Sequence, residues 1–177
     1  MRTGFERKNI RLPAENYRGE RTYFLTLCFE GRRPYGAEPE TARKLIRCLR
    51  ESSAEKGFLV HAYCVMPDHL HLFVAGMAPS SDLRAFVSCY KQRTGFTFHK
   101  EKGHRLWQFK FFDHIVRKSG AVESVAWYIW LNPVRKGLCK VPHDYPHSGS
   151  LTEDGLRRFR SFPQEEWTPP WRKPMPR

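Results

Sequence analysis

The stretch Val65–Val74 reads Val-Met-Pro-Asp-His-Leu-His-Leu-Phe-Val. It is an apolar run that holds two histidines and is entered through a Pro-Asp pair, which is typical of a tight turn. In a β-strand successive side chains point to opposite faces, so His69 and His71 share one face while Leu70 and Leu72 share the other. Polar rings on such a strand need partners. They are therefore either ligands of one divalent cation or structural histidines hydrogen-bonded within the fold.

The segments around this strand predict an α+β fold. A hairpin joins the histidine strand to the strand before it, and helices with apolar residues at helical spacing lie on either side of the hairpin. The order strand, helix, hairpin, helix, strand is that of a ferredoxin-like or RRM-like fold, an antiparallel sheet backed by helices. The predicted strands are Thr22–Phe29, Phe58–Met66, His69–Ala75 and Phe109–Arg117, and the predicted helices are Pro39–Lys56, stopped by Gly57, and a segment from the N-cap at Ser80–Asp82 to about Gly103.

An extra C-terminal helix is predicted over Ala121–Leu131, ended by Asn132–Pro133. At 100° per residue, Tyr128 lies about 110° from the centre of the helix's core face. Asn132 lies one turn further along, so the two side chains are neighbours. The core face consists of Val122, Val125, Ala126 and Ile129.

The remaining segments suggest a single domain with two extensions. We expect residues 1–21, which are polar and basic, to form an arm rather than a packed element. Residues 22–150 form the domain, because no repeat or linker divides them. Residues 140–177 are Pro-rich, and we expect residues 151–177, with Trp167 and Trp171, to be an extended tail.

The composition indicates a folded protein with a polyanionic partner. The 177 residues carry a formal net charge of +13 with a pI near 9.9, and 40% of them are hydrophobic. Nucleic acid is the default partner of such a charge, and a merely basic surface is the alternative. The five cysteines form no Cys-x-x-Cys motif, which argues against a zinc ribbon or a disulfide framework. No signal sequence or membrane span is recognisable, so we expect a soluble, cytoplasmic protein.

Three ordered motifs resemble the single-tyrosine HUH transposases, and more closely the REP-associated tyrosine transposases. The most specific is Tyr-Ile-x-x-Asn-Pro-Val-Arg-x-Gly-Leu, which runs from Tyr128 to Leu138. The resemblance spans about Arg21 to Ser150, most of the chain. Its other carrying residues are Tyr-Phe-Leu-Thr at 23–26, Val-Met-Pro-Asp-His-Leu-His-Leu at 65–72 and Trp-Gln at 107–108.

The resemblance implies an endonuclease and strand transferase that acts on single-stranded or hairpin-containing DNA. It implies that His69 and His71 bind Mg²⁺ or Mn²⁺ and that Tyr128 is the nucleophile. Asn132 stands where relatives often have Gln, and it is either a third metal ligand or the C-terminal cap of its helix. Arg135 and Lys136 either contact phosphate or are solvated. Relatives include monomers and homodimers, and the sequence does not distinguish them.

The chemistry fits these residue types. A cation on a non-bridging oxygen offsets the charge that builds up when a phosphodiester is attacked. A tyrosine is a poor nucleophile until it is deprotonated, but the phosphotyrosine bond keeps the energy of the phosphodiester, so a 3′-hydroxyl can later reverse the reaction. Ligand histidines must be neutral, so we expect activity to fall below about pH 6. Imidazole pairs favour Mn²⁺ somewhat over Mg²⁺.

Two other functions fit the same residues. One is a non-catalytic protein that binds hairpin DNA or RNA on an RRM-like sheet, although the histidine strand lacks the aromatic and glycine signature of that fold. The other is a metal hydrolase without a covalent step. Tyr90 is a rival nucleophile, but it lies on the core stripe of its helix. Trp107 and Phe109, beside Lys110, are candidates either for stacking on bases or for packing.

Overall fold

The structure is a computed structural model that describes residues 13–116 and 121–161. The side chains of residues 14, 121 and 122 are outside this description. The strands are β1 (Thr22–Cys28), β2 (Phe58–Val65), β3 (His69–Gly76), β4 (Phe112–Val116) and β5 (Ser148–Gly149), and the α-helices are α1 (Pro39–Lys56), α2 (Leu83–Lys102), α3 (Ala121–Trp130), α4 (Asn132–Arg135) and α5 (Glu153–Arg160).

The five strands form one antiparallel sheet in the order β4-β1-β3-β2-β5. The first four strands and the helices α1 and α2 follow the predicted ferredoxin-like order. The α+β prediction is therefore confirmed, and β5 adds a short fifth strand beside β2. The histidine strand β3 lies at the centre of the sheet, where both of its edges are paired.

The alternation of β1 divides the molecule into two cores. Tyr23, Leu25 and Leu27 are buried on the face covered by α1 and α2. Phe24 belongs to the opposite core, which α3 and α5 cover. Because α3 packs against β2 and β3, the sheet has helices on both faces rather than on one. The second layer of helices places the tyrosine helix over the histidine face.

The predicted helix boundaries agree closely with the structure. The α2 helix begins after Asp82, whose carboxylate accepts hydrogen bonds from the backbone N–H groups of Arg84 and Ala85, as an N-cap does. The α1 helix ends at Gly57, which takes the left-handed backbone conformation (φ 66°) that glycine adopts without strain. None of the helices in the described part of the chain is long and apolar enough to cross a membrane.

Two predictions about the ends of the domain are wrong for the residues described. Residues 13–21 are not a free arm, because Tyr17 is buried in the core that α1 and α2 cover and the backbone of Arg18 forms a single β-bridge with that of Asp82. Residues 151–161 are not an extended tail, because they include the helix α5, and Phe159 on this helix is buried against Trp130. Residues 1–12 and 162–177, with Trp167 and Trp171, lie outside the described residues.

The fourth strand begins later than predicted. The sequence predicts a strand over Phe109–Arg117, whereas the strand in the structure begins at Phe112 and is described as far as Val116. The backbone N–H of Gln108 still donates to the oxygen of Cys28 (2.9 Å), but the Lys91 ammonium donates hydrogen bonds to the backbone oxygens of Gln108 (2.6 Å) and Phe109 (3.0 Å). These carbonyls therefore bond a side chain of α2 instead of a neighbouring strand.

Candidate active site

The two histidines of β3 converge on one point. The Nε2 atoms of His69 and His71 lie 2.9 Å apart, with the rings nearly perpendicular. The strand alternation that predicts a shared face is therefore confirmed by the geometry. Either one Nε2–H donates to the other nitrogen, or both lone pairs face a common cation, and the same arrangement suits both states.

The outer nitrogen of each ring has a partner that fixes the ring's orientation. Nδ1 of His69 lies 2.6 Å from a carboxylate oxygen of Asp68, which also forms an ion pair with Arg32 (3.1 Å). Nδ1 of His71 lies 2.9 Å from the hydroxyl oxygen of Thr26, its cross-strand neighbour on β1. A hydrogen bond at Nδ1 that points Nε2 inward is the usual support of a metal-binding histidine.

Burial keeps the histidine pair neutral. It lowers the pKa of His71 to about 3, and the nearby charges of His69 and Arg135 act in the same direction. Burial also lowers the pKa of His69, although Asp68 opposes part of that effect. For Asp68, burial alone would raise the pKa, but the bonds and charges of His69 and Arg32 hold it below its usual value. Protonation of the pair therefore requires a lower pH than the pKa near 6.5 that is ordinary for an exposed histidine.

Tyr128 lies beside this pair. Its ring centroid is 6.1 Å from that of His71, and 5.7 Å from that of Phe24, against which it packs edge-on. Phe24 in turn stacks on His71 at 5.4 Å. These three rings form one contiguous group on the histidine face of the sheet, so the structure brings together the tyrosine and the histidines that the sequence singles out.

The tyrosine helix is held by tryptophans. Trp130 on α3 is 1% exposed, and its indole N–H donates to the backbone oxygen of Gly149 on β5 (2.9 Å). Trp127 is also buried and packs edge-on against Trp130. Of the predicted core face, Ala126 and Ile129 are buried and Val125 packs against the same core. The orientation of Tyr128 therefore depends on the edge strand β5 and on α5, whose Phe159 packs against Trp130, as well as on the central strands of the sheet.

Asn132 and Arg135 lie around the end of the tyrosine helix. The Asn132 side-chain amide donates to the backbone oxygen of Tyr128 (3.0 Å), which is a capping contact that uses Nδ2 and not Oδ1. Arg135 also donates to that oxygen, and its guanidinium carbon lies 4.5 Å from the centre of the Tyr128 ring. The expected helix end at Asn132–Pro133 is followed by one further turn, α4, and this turn brings Arg135 back over the tyrosine.

The donor set suits a divalent cation with open positions. Two imidazole nitrogens are a common partial ligand set for Mn²⁺ and other first-row metals. Within residues 13–116 and 121–161, no group of three His, Cys, Asp or Glu side chains could hold a metal ion. The remaining ligands of a cation here would therefore be water, a phosphate oxygen, or an amide such as that of Asn132.

Other candidates occupy different places. Tyr90 is 1% exposed and its hydroxyl bonds the backbone oxygen of Leu45, so it belongs to the core as expected. His114 is exposed on β4 opposite Phe24, and β1 separates its strand from that of His71. Trp107 is buried with its indole N–H on Thr94, and it therefore packs rather than stacks on bases.

The sequence pattern does not single out two residues of the site. It places Asp68 in a turn, although a carboxylate directly before a candidate ligand histidine can hydrogen-bond and orient that ring. Thr26 gave no signal of its own, because its contact with His71 depends on the cross-strand register of β1 and β3.

The fold and the site together define a protein with a His-hydrophobic-His pair on a central strand and a helical tyrosine beside it. The sequence model of the family described as "Transposase IS200 like" matches residues 20–131, more than half of the chain. The chain belongs to this family of transposases.

Individual relatives point to one branch of that family. A Haemophilus influenzae protein assigned to the REP-associated tyrosine transposases is 25% identical over 150 residues, covering 75% of this chain and 84% of the relative. The REP-associated tyrosine transposase of Escherichia coli K12 is 24% identical over 127 residues, covering 72% and 74%. The resemblance inferred from the sequence is confirmed.

A solved structure supports the fold. The REP-associated tyrosine transposase bound to a REP hairpin superposes with a TM-score of 0.68 at 23% identity, covering 80% of this chain and 81% of that chain. The match confirms the antiparallel sheet with helices that the sequence predicts.

Proposed function

We propose that the protein is a metal-dependent endonuclease and strand transferase for single-stranded DNA that carries hairpins, and that it acts through a covalent phosphotyrosine. The observation that carries this proposal is the contact between Tyr128 and His71, whose Nε2 lies 2.9 Å from that of His69. A tyrosine ring packed against a convergent histidine pair offers a nucleophile and a cation site to one phosphate.

The protein's part in the chemistry begins with the histidines. His69 and His71 would hold Mg²⁺ or Mn²⁺, and such a cation would offset negative charge on a non-bridging phosphate oxygen. Asp68 and Thr26 keep the lone pairs of these nitrogens directed at the common point. Arg135 and Lys136, which are exposed and close enough to influence the pKa values of the pair, add positive charge for the DNA backbone.

The bond changes are carried by Tyr128. Its phenolate oxygen bonds to the scissile phosphorus as the bond from phosphorus to the 3′ oxygen breaks. The phenol loses its proton, and the departing 3′ oxygen gains one. Because one phosphate ester replaces another, a second 3′-hydroxyl can attack the phosphotyrosine and rejoin the strand without ATP.

Two observations support hairpin-containing DNA as the ligand: the net charge of the chain and its similarity to a solved structure. The net charge of +13 favours a polyanion. The solved relative is described as bound to a REP hairpin, and we extend that class of ligand, a hairpin in DNA, to this chain.

A denaturing gel tests the proposal. The full chain is mixed with labelled single-stranded hairpins from the DNA that flanks its gene, in the presence of Mn²⁺. We expect a labelled band at the mass of the protein, which is lost with Tyr128→Phe, with His69→Ala and on addition of a chelator. Tyr90→Phe is the matched control and leaves the band unchanged, since the Tyr90 ring stays buried.

The alternatives predict different gels. Cleavage without a labelled protein band indicates hydrolysis. Binding without cleavage in any divalent metal indicates a non-catalytic hairpin-binding protein on the same sheet.

A further inference from the structure

We propose that the segment leading into β4 binds the unpaired DNA strand next to the scissile phosphate, with Phe109 and Phe112 stacking on unpaired bases. This inference rests on the proposed function for the identity of the strand. Phe109 is 85% exposed and Phe112 is 68% exposed, and Lys110 stands between them. Two large aromatic rings that remain in water flank a cation, and this is the pattern of single-strand binding surfaces.

The segment is held in place rather than loose. Trp107 pairs with Phe29 and Phe112 pairs with Thr26, so five steps along the segment span only three steps of the partner strand. The extra residues bulge outward, and the bonds from the Lys91 ammonium to the oxygens of Gln108 and Phe109 fix the bulge against α2. A fixed bulge presents Phe109 and Lys110 to solvent with little ordering cost on binding.

The register connects this surface to the candidate active site. Phe112 and His71 both lie directly opposite Thr26, one on each side, and directly opposed residues share a face of the sheet. Phe112 is therefore on the histidine face, two strand spacings or about 10 Å from His71. A strand whose phosphate lies at the histidine pair passes over Phe112 when it runs across the β4 edge.

Beyond the β4 edge of the sheet lies a groove that the unpaired DNA strand could follow. It lies between α2 and residues 105–113 and has a volume of about 1160 Å³, above the range of about 300–1,000 Å³ for pockets that take one small molecule. Asp113 is the one acidic residue among the described residues that line it. The cations that line it are Arg84, Lys91, Arg105 and Lys110.

The chemistry of the whole surface selects its ligand. Exposed aromatic rings match the faces of unpaired bases, and the cations match the phosphates between them. The stacked bases of a duplex do not offer these faces. The surface therefore fits an unpaired flank of the hairpin rather than its stem.

The experiment compares DNA ligands that differ only in an unpaired flank. The full chain is titrated with a fluorescent hairpin that ends flush at its stem, with the same hairpin carrying an oligothymidylate flank, and with free oligothymidylate of about 12 nucleotides, within the range of known site sizes. The variants are Phe109→Ala and Phe112→Ala. Phe96→Ala is the matched control, because Phe96 is 75% exposed on α2 but does not line the groove.

We expect each of the two variants to bind the flanked hairpin and the oligothymidylate about 5- to 150-fold more weakly, the range for loss of one stacked base. Binding of the flush hairpin is unchanged, and Phe96→Ala behaves as the wild type throughout. Equal losses on all three ligands, or no loss on any, would overturn the proposal. A loss confined to the flush hairpin would place the stem on this surface and also overturn it.

The DNA-binding titrations and the covalent-band gel can fail independently of each other. If the wild type forms the covalent band while both variants bind flanked DNA normally, the stacking surface is wrong and the catalytic assignment stands. If no covalent band forms but flank binding depends on Phe109 and Phe112, the surface is right and the catalytic assignment fails.

Discussion

The hydroxyl oxygen of Thr26 lies 2.9 Å from Nδ1 of His71, and this contact ties the outer nitrogen of one candidate ligand to the neighbouring strand. We predict that Thr26→Val raises the Mn²⁺ concentration needed for half-maximal cleavage about 10- to 100-fold, because the ring loses the bond that orients it. The measurement is a metal titration of covalent-band formation. Thr22→Val is the control on the same strand and face, and an equal effect of both substitutions would contradict the assigned role of Thr26.

Two substitutions of Asn132 distinguish its role as a helix cap from a role as a metal ligand. Asn132→Asp keeps a side-chain oxygen but loses the Nδ2 donor to the Tyr128 carbonyl. We predict that Asn132→Asp lowers the free energy of unfolding by about 1 kcal/mol, because the hydrogen bond is lost. We expect the variant to retain metal-dependent cleavage. Asn132→Ala lowers both properties. Full metal-dependent cleavage by Asn132→Ala would remove the residue from the ligand set and leave it a cap.

Trp130 tests whether the C-terminal elements hold the tyrosine. We predict that Trp130→Ala lowers the free energy of unfolding by about 3–5 kcal/mol, as expected for a buried tryptophan, and reduces covalent-band formation even where the protein remains folded. Phe86→Ala in the opposite core is the control. It loses comparable stability in denaturant unfolding but keeps covalent-band formation at temperatures where it is folded. Equal losses of covalent-band formation in Trp130→Ala and Phe86→Ala would mean that the loss reflects reduced stability and not the position of Tyr128.

The buried histidines predict acid sensitivity. The pKa of His71 is about 3 in the folded protein against an ordinary value near 6.5, so the unfolded chain binds more protons between these values. The contribution of neutral His71 to the free energy of unfolding is therefore fully present above about pH 6.5, and it is lost as the pH falls towards 3. Burial also lowers the pKa values of His61, His69 and His147, which adds to the loss.

We predict that the Tm without added metal falls steadily from about pH 6.5 to about pH 4.5, and that His71→Asn has a shallower decline because it removes one such group. Differential scanning fluorimetry across this range measures both. A decline of identical slope in the wild type and the variant would contradict the buried neutral state of His71.

Much of the fold and of the candidate site is predictable from the local sequence pattern of each strand and helix. The remaining contacts depend on which residues of two neighbouring strands pair with each other. Alternation in β3 places both histidines on one face, and helical spacing places Tyr128 outside the core of α3. The Thr26 contact is not predictable, because the pairing of β1 with β3 is not encoded by either strand alone. The sequence prediction lacks α5 because the proline content around it indicates a tail, although Thr152 caps this helix by accepting a hydrogen bond from the Gly155 N–H.

The central claim is that Tyr128 becomes covalently bonded to DNA, and peptide mapping by mass spectrometry tests it most directly. The protein is incubated with a flanked hairpin and Mn²⁺, digested with trypsin and nuclease, and searched for a nucleotide-modified peptide. We expect a phosphonucleotide on Tyr128 in the wild type and none in the His71→Ala protein. Modification of a different residue, or complete cleavage of the DNA with no modified peptide, would contradict it.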